Sequence, residues 1–262
     1  MMFDAKQYWD TRLKAHYDLV GVGDISLSQN YNKWSYKVSG RILKNILKRY
    51  CANKKNQNVL DIGSGTGFVV NIWQSLSKNV AGIDISATAV SRLKITYPSF
   101  TFSEFDIGKE KINLPANSFS ICSAASVLYH IVDDKALNLA LKNIHSVLEK
   151  DGLFVFSENF IHHRVFNTTH QKCRTLEAYE AALKNNGFEI IARVPNYVLM
   201  NEPVDTEGKF YPRVWNLLTT LSRKSKLLDK IIWPVVYPLE LFLTTVLKES
   251  PAQEFMICKA IK

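Results

Sequence analysis

Short apolar runs alternate with amphipathic stretches along most of the chain. Runs rich in β-branched and apolar residues predict strands at 58–62, 79–84, 101–106, 153–160, 188–200 and 254–262. Apolar residues at helical spacing predict helices over 68–76, 133–149 and 175–186, each of them between two of these runs. Strands that alternate with helices in this way predict an α/β fold with a largely parallel sheet.

The first strand leads directly into three glycines at alternate positions, Gly63, Gly65 and Gly67. A strand, a tight glycine turn and a helix together form a cradle for a nucleotide, with backbone N–H groups facing the ligand. A dinucleotide-binding loop has the spacing G-x-G-x-x-G, and its third glycine would fall on the bulky Phe68. The chain also lacks the G-x-x-x-x-G-K-[ST] pattern of a P-loop. The loop therefore disfavours NAD(P) and nucleoside triphosphates.

The string D-x-G-x-G-x-G at 61–67 resembles motif I of the class I S-adenosylmethionine-dependent methyltransferases. Residues 119–131 are similar to the fourth-strand motif of the same family, with Ser120 where an Asp is usual. The resemblance implies a Rossmann-like sheet of seven mostly parallel strands, with helices on both faces and an antiparallel last strand between strands five and six. It implies a methyltransferase domain at 57–262, preceded by an N-terminal helical lid segment at 1–56.

Acids at the ends of successive strands are the main candidates for contacts with the methyl donor. Asp84 lies 17 positions after Gly67, where a carboxylate can accept both ribose hydroxyls of an adenosine. The resemblance assigns Asp106, with Ile107 beside it, to the adenine edge, and Ala124 to the methionine end. The alternative is that such acids only cap the following helices. The full set expected to bind S-adenosylmethionine, and its product S-adenosylhomocysteine, is Asp61, Gly63, Ser64, Gly65, Gly67, Asp84, Ile85, Asp106, Ile107 and Ala124.

Methyl transfer asks little of the protein, because the cofactor supplies the reactive carbon while the protein aligns the nucleophile and takes its proton. His130 follows strand four and Glu158 ends strand five, and methyltransferases that resemble this chain often place a His and an acid there. We therefore predict that Glu158 orients His130 as the base. A capping or core role for His130 is the alternative, with His162, His163 and His170 as rival bases. His163 and His170 lack metal-site spacing to any nearby Cys or acid, so no metal is expected.

The N-terminal segment carries most of the positive charge. Residues 1–60 hold 11 Lys and Arg against four Asp, which accounts for +7 of the formal net charge of +9. A basic stripe at helical spacing lies opposite an apolar side, and its simplest interpretation is a solvated helix face, formed by Lys37, Arg41, Lys44 and Lys48. An anionic substrate or an anionic membrane are alternatives. Nucleic acid is not expected, because no aromatic platform or RNA-binding module accompanies the stripe.

Tyr31 and Trp34 lie in an aromatic cluster just before the basic stripe. In the resembling family, segments ahead of motif I often fold over the donor and complete the substrate pocket. We therefore predict that Tyr31 and Trp34 form part of a lid over that pocket, with His162 and His163 also at the substrate. The alternative is that the two aromatic rings are packed in the core.

Residues 201–253 form an insertion of 53 residues where the fold needs only a hairpin turn. Two amphipathic or apolar pieces predict helices, and Pro234, Pro238 and Glu240 make the second too broken to span a bilayer. Three roles compete for this insertion: a helical lid, a dimer interface, and an interfacial membrane contact through 213–247. We expect the lid, with its apolar face buried over the pocket.

The sequence therefore predicts an S-adenosylmethionine-dependent methyltransferase that acts on O or N of a small-molecule or glycan-like acceptor. A lipid-linked acceptor at a membrane surface is the first alternative. An NAD(P)-dependent oxidoreductase and a donor-binding protein without activity are less favoured. Four cysteines far apart, without a C-x-x-C pair, predict free thiols in a reducing cytoplasm. A monomer or a homodimer is expected, with peripheral membrane contact as the open alternative.

Overall fold

The computed structural model describes residues 3–51, 57–162 and 167–262 and is centred on one sheet. Its strands are β1 Asn58–Ile62, β2 Asn79–Asp84, β3 Thr101–Glu104, β4 Phe119–Ala125, β5 Leu148–Glu158, β6 Phe188–Tyr197 and β7 Gln253–Ala260. The seven strands lie in the order β3-β2-β1-β4-β5-β7-β6. Strands β1 to β5 are parallel, and β7 runs antiparallel between β5 and β6. The predicted Rossmann-like fold is confirmed, including the position of its last strand.

Helices follow most of the strands, as the alternation predicted. They are α1 Ala5–Ala15, α2 Leu19–Val22, α3 Gln29–Tyr50, α4 Phe68–Trp73, α5 Ala87–Thr96, α6 Asp134–Val147, α7 Leu176–Asn185, α8 Phe210–Lys224 and α9 Lys226–Val246. Side-chain oxygens of Ser28, Ser86, Asp133 and Thr175 accept backbone N–H groups at the starts of α3, α5, α6 and α7. Helix α6 ends two residues earlier than predicted, because Leu148 already belongs to β5.

Two apolar cores lie on opposite faces of the sheet. Neighbouring residues of a strand point to different cores: Val59 and Ile121 face α3, α4 and α5, whereas Leu60 and Cys122 face α6 and α7. This division confirms helices on both faces. The four cysteines are free and buried, as predicted for thiols that form no disulfide.

The basic stripe is the outer face of α3. Its apolar side is buried against the sheet through Ile42, Leu43, Ile46 and Leu47, while the basic side chains of Arg41, Lys44 and Lys48 are exposed. The N-terminal segment is therefore helical, as predicted, and α3 is an integral layer of the domain.

The insertion forms a hairpin of α8 and α9 that packs on α3. Asp229, at the first turn of α9, is the polar centre of this contact. Its Oδ1 accepts from the Ser28 hydroxyl at 2.7 Å, from the Ser222 hydroxyl at 2.6 Å and from the Trp233 indole N–H at 2.9 Å. Trp233 itself is fully buried. The hairpin is thus fixed to α3 by a satisfied polar network around an aromatic core.

Helix α9 continues through Pro234 and Pro238, so these prolines do not break the second helical piece. No helix in the described parts of the chain combines the length and apolarity needed to cross a membrane. The finding agrees with the sequence-based expectation that the second piece does not span a bilayer.

Glu240 of α9 explains why β6 ends earlier than the sequence suggested. Its fully buried carboxylate accepts the backbone N–H groups of Val198, Leu199 and Met200 at 2.7, 2.8 and 3.2 Å. These three residues were predicted to continue the strand. Because their amides bind a carboxylate, they turn away from the sheet ladder after Tyr197.

We predict that Glu240→Ala lowers the free energy of unfolding by about 3 kcal/mol, because three buried amides lose their acceptor at a cost of roughly 1 kcal/mol or more each. Denaturant titration of both proteins measures the difference. Glu180→Ala, an exposed site on α7, is the matched control and is expected to be near neutral. A loss below about 1 kcal/mol for Glu240→Ala would show that the carboxylate does not hold this turn.

Candidate active site

The glycine loop between β1 and α4 has a backbone that only glycine adopts without strain. Gly63, Gly65 and Gly67 have φ angles of 67°, 52° and 87°, all in the left-handed region. The N–H groups of Gly63 and Ser64 both donate to the Ile83 carbonyl, at 2.8 and 3.2 Å, which ties the loop to β2. A Cβ on Gly63 would lie 2.5 Å from Val127, so packing as well as conformation requires glycine there.

Asp84, at the end of β2, holds the middle of this loop. Its Oδ2 accepts the Gly65 N–H at 2.7 Å, and its Oδ1 accepts the Ser86 N–H at 2.8 Å. Burial raises the pKa of this carboxyl, although the backbone donors oppose the shift. A carboxylate has about four acceptor positions, so two bonds to the protein leave capacity for two hydroxyl donors. The predicted role of Asp84 as a ribose acceptor is compatible with this geometry.

Asp61 lies beneath the loop and connects three elements. Its Oδ1 accepts a hydrogen bond from the Ser123 hydroxyl of β4 at 2.7 Å. The Ser123 hydroxyl oxygen in turn accepts one from the indole N–H of Trp73 in α4 at 2.9 Å. The Asp61 Oδ2 is buried without a hydrogen-bond partner among the described residues. Burial raises the pKa of Asp61 to about 7. Asp61 therefore has one free acceptor oxygen close to the loop.

The remaining predicted donor residues occupy different local environments. Ser64 is buried and donates to the Asp61 carbonyl at 3.1 Å, while Ile85 lies half-buried beside Asp84. Ala124 is fully buried in β4, opposite Phe156. Asp106 follows β3 in a turn, where its Oδ1 accepts the Gly108 N–H at 3.0 Å. This bond closes a turn, since β3 is followed by β4 and not by a helix, and the adenine contact of Asp106 stays a prediction.

Ile107, the neighbour of Asp106, is buried in the core beside α6. Its carbonyl accepts from the Asn143 side chain at 2.9 Å. A buried side chain after β3 is consistent with an apolar wall beside an adenine ring, which stays a prediction.

The residues that cover the glycine loop come from the chain around α2. The Tyr17 hydroxyl donates to the Gly65 carbonyl at 3.3 Å, and the Val22 side chain lies 3.0 Å from the position of a Cβ on Gly65. Neither residue stands in a recognisable motif, so neither could be singled out from the sequence. The segment 17–22, which precedes the predicted lid residues in the chain, therefore covers the loop.

Tyr31 and Trp34, the predicted lid residues, pack on the α8–α9 hairpin instead of the loop. Tyr31 is 3% exposed, donates to the Met200 carbonyl at 3.0 Å and meets the Trp233 ring edge-on at 4.8 Å. Trp34 packs on Tyr237 at 5.2 Å. Tyr31 therefore has the core packing that was the alternative, while Trp34 is half-buried, and a lid role for the two rings stays a prediction.

Phe68 shows why the loop departs from the dinucleotide pattern. Its ring packs edge-on against Tyr36 of α3 at 4.7 Å and lies 3.1 Å from the position of a Cβ on Gly40. A glycine at this position would remove the contact that joins α4 to α3.

His130 lies in a short 3₁₀ turn after β4 and is covered by the N-terminal helix. Its ring contacts Trp9 of α1 edge-on at 4.8 Å and stacks with His170 at 5.8 Å. The Nδ1 atom is 2.9 Å from the His170 carbonyl, which can only accept. The neutral ring therefore carries its proton on Nδ1, and Nε2 is the acceptor. Burial lowers the pKa of His130 to about 4, so the ring is neutral at pH 7.

The predicted hydrogen bond between Glu158 and His130 does not form. Glu158 is fully buried, and its Oε1 accepts the backbone N–H of Tyr129 at 3.1 Å. Its Oε2 has no hydrogen-bond partner among the described residues. The His170 carbonyl, not Glu158, orients the imidazole. Burial raises the pKa of Glu158 to about 8, because desolvation outweighs the nearby Arg174.

The other histidines have separate environments. The His162 ring contacts Asp205 of the insertion through Nδ1 and Oδ2 at 2.5 Å, and its backbone N–H donates to the same carboxylate. His163 lies outside the described residues. His170 stacks on Tyr8 at 5.0 Å as well as on His130. Within the described ranges, no three His, Cys, Asp or Glu residues are grouped as metal ligands.

Helix α1 supplies further site residues that the sequence analysis did not assign. Asp10 accepts the Ser86 hydroxyl and the Thr88 N–H, both at 2.9 Å, so it caps α5 beside Asp84. Arg12 donates to the Gly21 and Gly23 carbonyls and fixes the turn that covers the loop. In the sequence, the feature that pointed to this helix was the aromatic pair at 8–9, and Trp9 of this pair contacts His130.

An open depression of about 600 Å³ lies beside the glycine loop. It is lined by Tyr17, Leu19, Asn30, Lys33 and Thr66, among others. Thr66 belongs to the loop, whereas Asn30 donates to the Asp229 carbonyl at the start of α9 at 2.7 Å. The depression therefore extends from the loop to the base of the α8–α9 hairpin.

Comparison with known proteins relates part of the chain to a domain family. Residues 60–156 match the family described as methyltransferase domain. A ubiquinone/menaquinone biosynthesis C-methyltransferase of Campylobacter jejuni is 29% identical over 132 residues, which are 48% of this chain and 52% of the relative. A malonyl-[acyl-carrier protein] O-methyltransferase of Erwinia billingiae is 25% identical over 50% of this chain and 49% of its own length. The chain thus spans about half the length of these relatives.

Among solved structures, the chain is similar to 1,6-didemethyltoxoflavin-N1-methyltransferase of Burkholderia thailandensis, with bound 1,6-didemethyltoxoflavin and S-adenosylhomocysteine. The TM-score is 0.56 and the identity 14%, with 100% of this chain and 93% of that chain covered. This likeness concerns the fold, and it extends over the whole of the chain.

We predict that stability falls as the pH rises from about 7 to about 8, and that Glu158→Gln flattens this slope. In the folded state Glu158 has a pKa of about 8 and keeps its proton at pH 7. In the unfolded chain the same carboxyl has already released this proton. One such proton gives a slope of at most about 1.4 kcal/mol per pH unit. His130, whose pKa is lowered to about 4, contributes only a small slope of the opposite sign, because the imidazole of the unfolded chain is already mostly neutral at pH 7.

Denaturant titrations at several pH values measure this slope. Glu180→Gln on the exposed face of α7 is the control that should keep it. An unchanged slope in Glu158→Gln would mean that Glu158 is ionised in the folded protein.

Proposed function

We propose that this chain, whose residues 60–156 match a methyltransferase domain, transfers a methyl group from S-adenosylmethionine to a small-molecule acceptor. The observation that carries the proposal is the glycine loop with Asp84 at its centre. The loop has three left-handed glycines, and the carboxylate that orients it still has free acceptor capacity.

The residues at the strand ends fit the parts of this donor. Asp84 would accept the ribose hydroxyls, and the buried Ile107 would lie against the adenine, with Asp106 at its edge. The unpartnered Oδ2 of Asp61 is an acceptor for the donor's ammonium group. A donor without a pyrophosphate also suits the site, because the position of the third dinucleotide glycine is occupied by the Phe68 contact with α3. That contact disfavours the NAD(P)-dependent alternative.

S-adenosylmethionine supplies an electrophilic methyl carbon when it is bound. The protein then has to align the acceptor and take up the proton that becomes acidic as the new bond forms. His130 is the residue proposed for this step, acting through Nε2, since Nδ1 is held by the His170 carbonyl. Its lowered pKa keeps the ring neutral and ready to accept at neutral pH. Glu158 is proposed to act indirectly, by fixing the Tyr129 backbone next to His130.

We propose O or N of a small-molecule or glycan-like compound as the acceptor. A lipid-linked acceptor at a membrane surface is the second candidate, favoured by the apolar and basic outer face of the α8–α9 hairpin. The Campylobacter relative is named as a C-methyltransferase, so carbon acceptors belong in the same assay. A panel of phenols, amines, sugars, carboxylates and quinols, assayed for S-adenosylhomocysteine formation, distinguishes these classes.

We predict that calorimetry detects binding of S-adenosylmethionine and S-adenosylhomocysteine but not of NADH. In the same titration, Asp84→Ala is expected to weaken binding of both about tenfold or more, since a charge-assisted hydrogen bond is worth roughly 1.5–3 kcal/mol. Thermal unfolding of the variant tests whether loss of the bond to Gly65 also loosens the loop.

Glu104→Ala is the matched control, because Glu104 is an exposed acid at the end of the neighbouring strand β3. It should leave donor affinity unchanged. Equal affinity of the wild type and Asp84→Ala, both folded, would remove Asp84 from the site, and tight NADH binding would replace the proposed function.

With an acceptor from the panel, we predict that His130→Ala lowers turnover by about 10²–10⁴ while donor affinity changes little. The reason is that only the proton transfer is lost. His16→Ala, an exposed histidine after α1, is the control. Normal turnover with reduced thermal stability would make His130 structural, and His170→Ala would then be the next variant to assay.

A further inference from the structure

The outer face of the α8–α9 hairpin is apolar and exposed. Among the described residues, nine of the 14 exposed large hydrophobic side chains lie between 210 and 246. Six of them form one stripe along α9 at spacings of three and four residues: Leu228, Ile231, Val235, Leu239, Phe242 and Val246. Their exposed fractions range from 37% to 65%. The expectation that the apolar face of the insertion is buried over the pocket is therefore wrong for this stripe.

The stripe is distinct from the buried face of the same hairpin. Trp233, Asp229 and Glu240 point inward to α3 and the turn after β6, where their contacts are complete. Isolated exposed apolar residues are common on proteins, but a contiguous apolar row along one face of a helix marks an interaction surface. One face of the hairpin is thus packed on the domain, and the other face is exposed.

The exposed charges along the hairpin from 209 to 248 are all positive, and the exposed acid that follows, Glu249, is paired with Arg193. Between 209 and 248 the chain has seven basic residues, all exposed: Lys209, Arg213, Arg223, Lys224, Lys226, Lys230 and Lys248. The two acids in this range, Asp229 and Glu240, are buried and accept hydrogen bonds within the fold. The surface therefore combines apolar side chains with cations and has no exposed carboxylate within this range.

We propose that this outer face docks on a lipid bilayer with anionic headgroups, with α9 lying in the plane of the interface. An amphipathic helix with basic residues beside its apolar row is the structure that such an interface favours. A symmetric dimer through the same face is disfavoured, because an isologous contact would bring the cations of one copy against those of the other. The docking does not depend on the methyl-transfer activity.

Docking would also place the depression near the bilayer. Asn30 lines the depression and is bonded to the first turn of α9, so the base of the hairpin and the glycine loop share one side of the molecule. A membrane-resident acceptor would then approach the donor from the docked side. This consequence rests on the proposed function, whereas the docking itself is measured without donor or acceptor.

The test is co-sedimentation with phosphatidylcholine vesicles, with and without phosphatidylglycerol, at low and high salt. The wild type is expected to bind the anionic vesicles strongly and the neutral ones weakly. Each cation near a charged surface contributes about fivefold in partitioning. The triple variant Lys224→Gln, Lys226→Gln, Lys230→Gln should therefore lower binding on the order of a hundredfold. The matched control, Arg41→Gln, Lys44→Gln, Lys48→Gln, removes the same charge from the exposed face of α3 and should change it far less.

A second pair of variants tests the apolar row. Ile231→Gln with Leu239→Gln should weaken vesicle binding at both salt concentrations, whereas Ile95→Gln, at an exposed apolar residue on α5, should not. Circular dichroism and thermal unfolding check that each variant is folded. The proposal is overturned if the wild type fails to bind anionic vesicles at low salt, or if both triple variants lose binding equally. It is also overturned if ultracentrifugation shows a dimer that Ile231→Gln with Leu239→Gln abolishes.

Discussion

The hydrogen bond from the Gly65 N–H to the Asp84 carboxylate is the contact around which the candidate site is organised. The carboxylate ends β2, and the amide belongs to a loop whose glycines all have left-handed backbones. Without this acceptor the Gly65 amide would be unpaired at the point where β1, β2 and α4 meet. Each neighbouring contact extends from it: Asp61 below the loop, Ser86 and Asp10 beside the carboxylate, and Tyr17 above Gly65.

Helix α1 and the α8–α9 hairpin, the two segments added to the sheet domain, pack around this centre in different ways. Helix α1 brings Trp9 to His130 and Asp10 to the start of α5, so the N-terminal segment closes over the strand ends. The α8–α9 hairpin is attached to α3 through the Asp229 network and to the turn after β6 through Glu240. Both attachments bury acids in satisfied hydrogen bonds, which leaves the outer face of the hairpin apolar and cationic.

The sequence was sufficient for what depends on short-range patterns. The glycine loop follows from local runs and glycine spacing, whereas the sheet arrangement and the antiparallel β7 follow from the family resemblance, and the structure has all of them. Contacts between distant segments could not be read in this way. Tyr31 resembled a lid residue, but its partner Trp233 lies about two hundred positions away along the chain. His130 and Glu158 are both at the predicted strand ends. Each of them forms a hydrogen bond with a backbone group, and they do not bond to each other.

The central claim is that the loop around Asp84 holds S-adenosylmethionine at the carboxyl ends of the parallel strands. A crystal structure of the protein with S-adenosylhomocysteine tests it most directly. The account predicts electron density along the glycine loop, with the ribose hydroxyls on Asp84, the adenine against Ile107 and the sulfur directed toward the side of His130. Density for the ligand at another site, or a ribose without contact to Asp84, would contradict it.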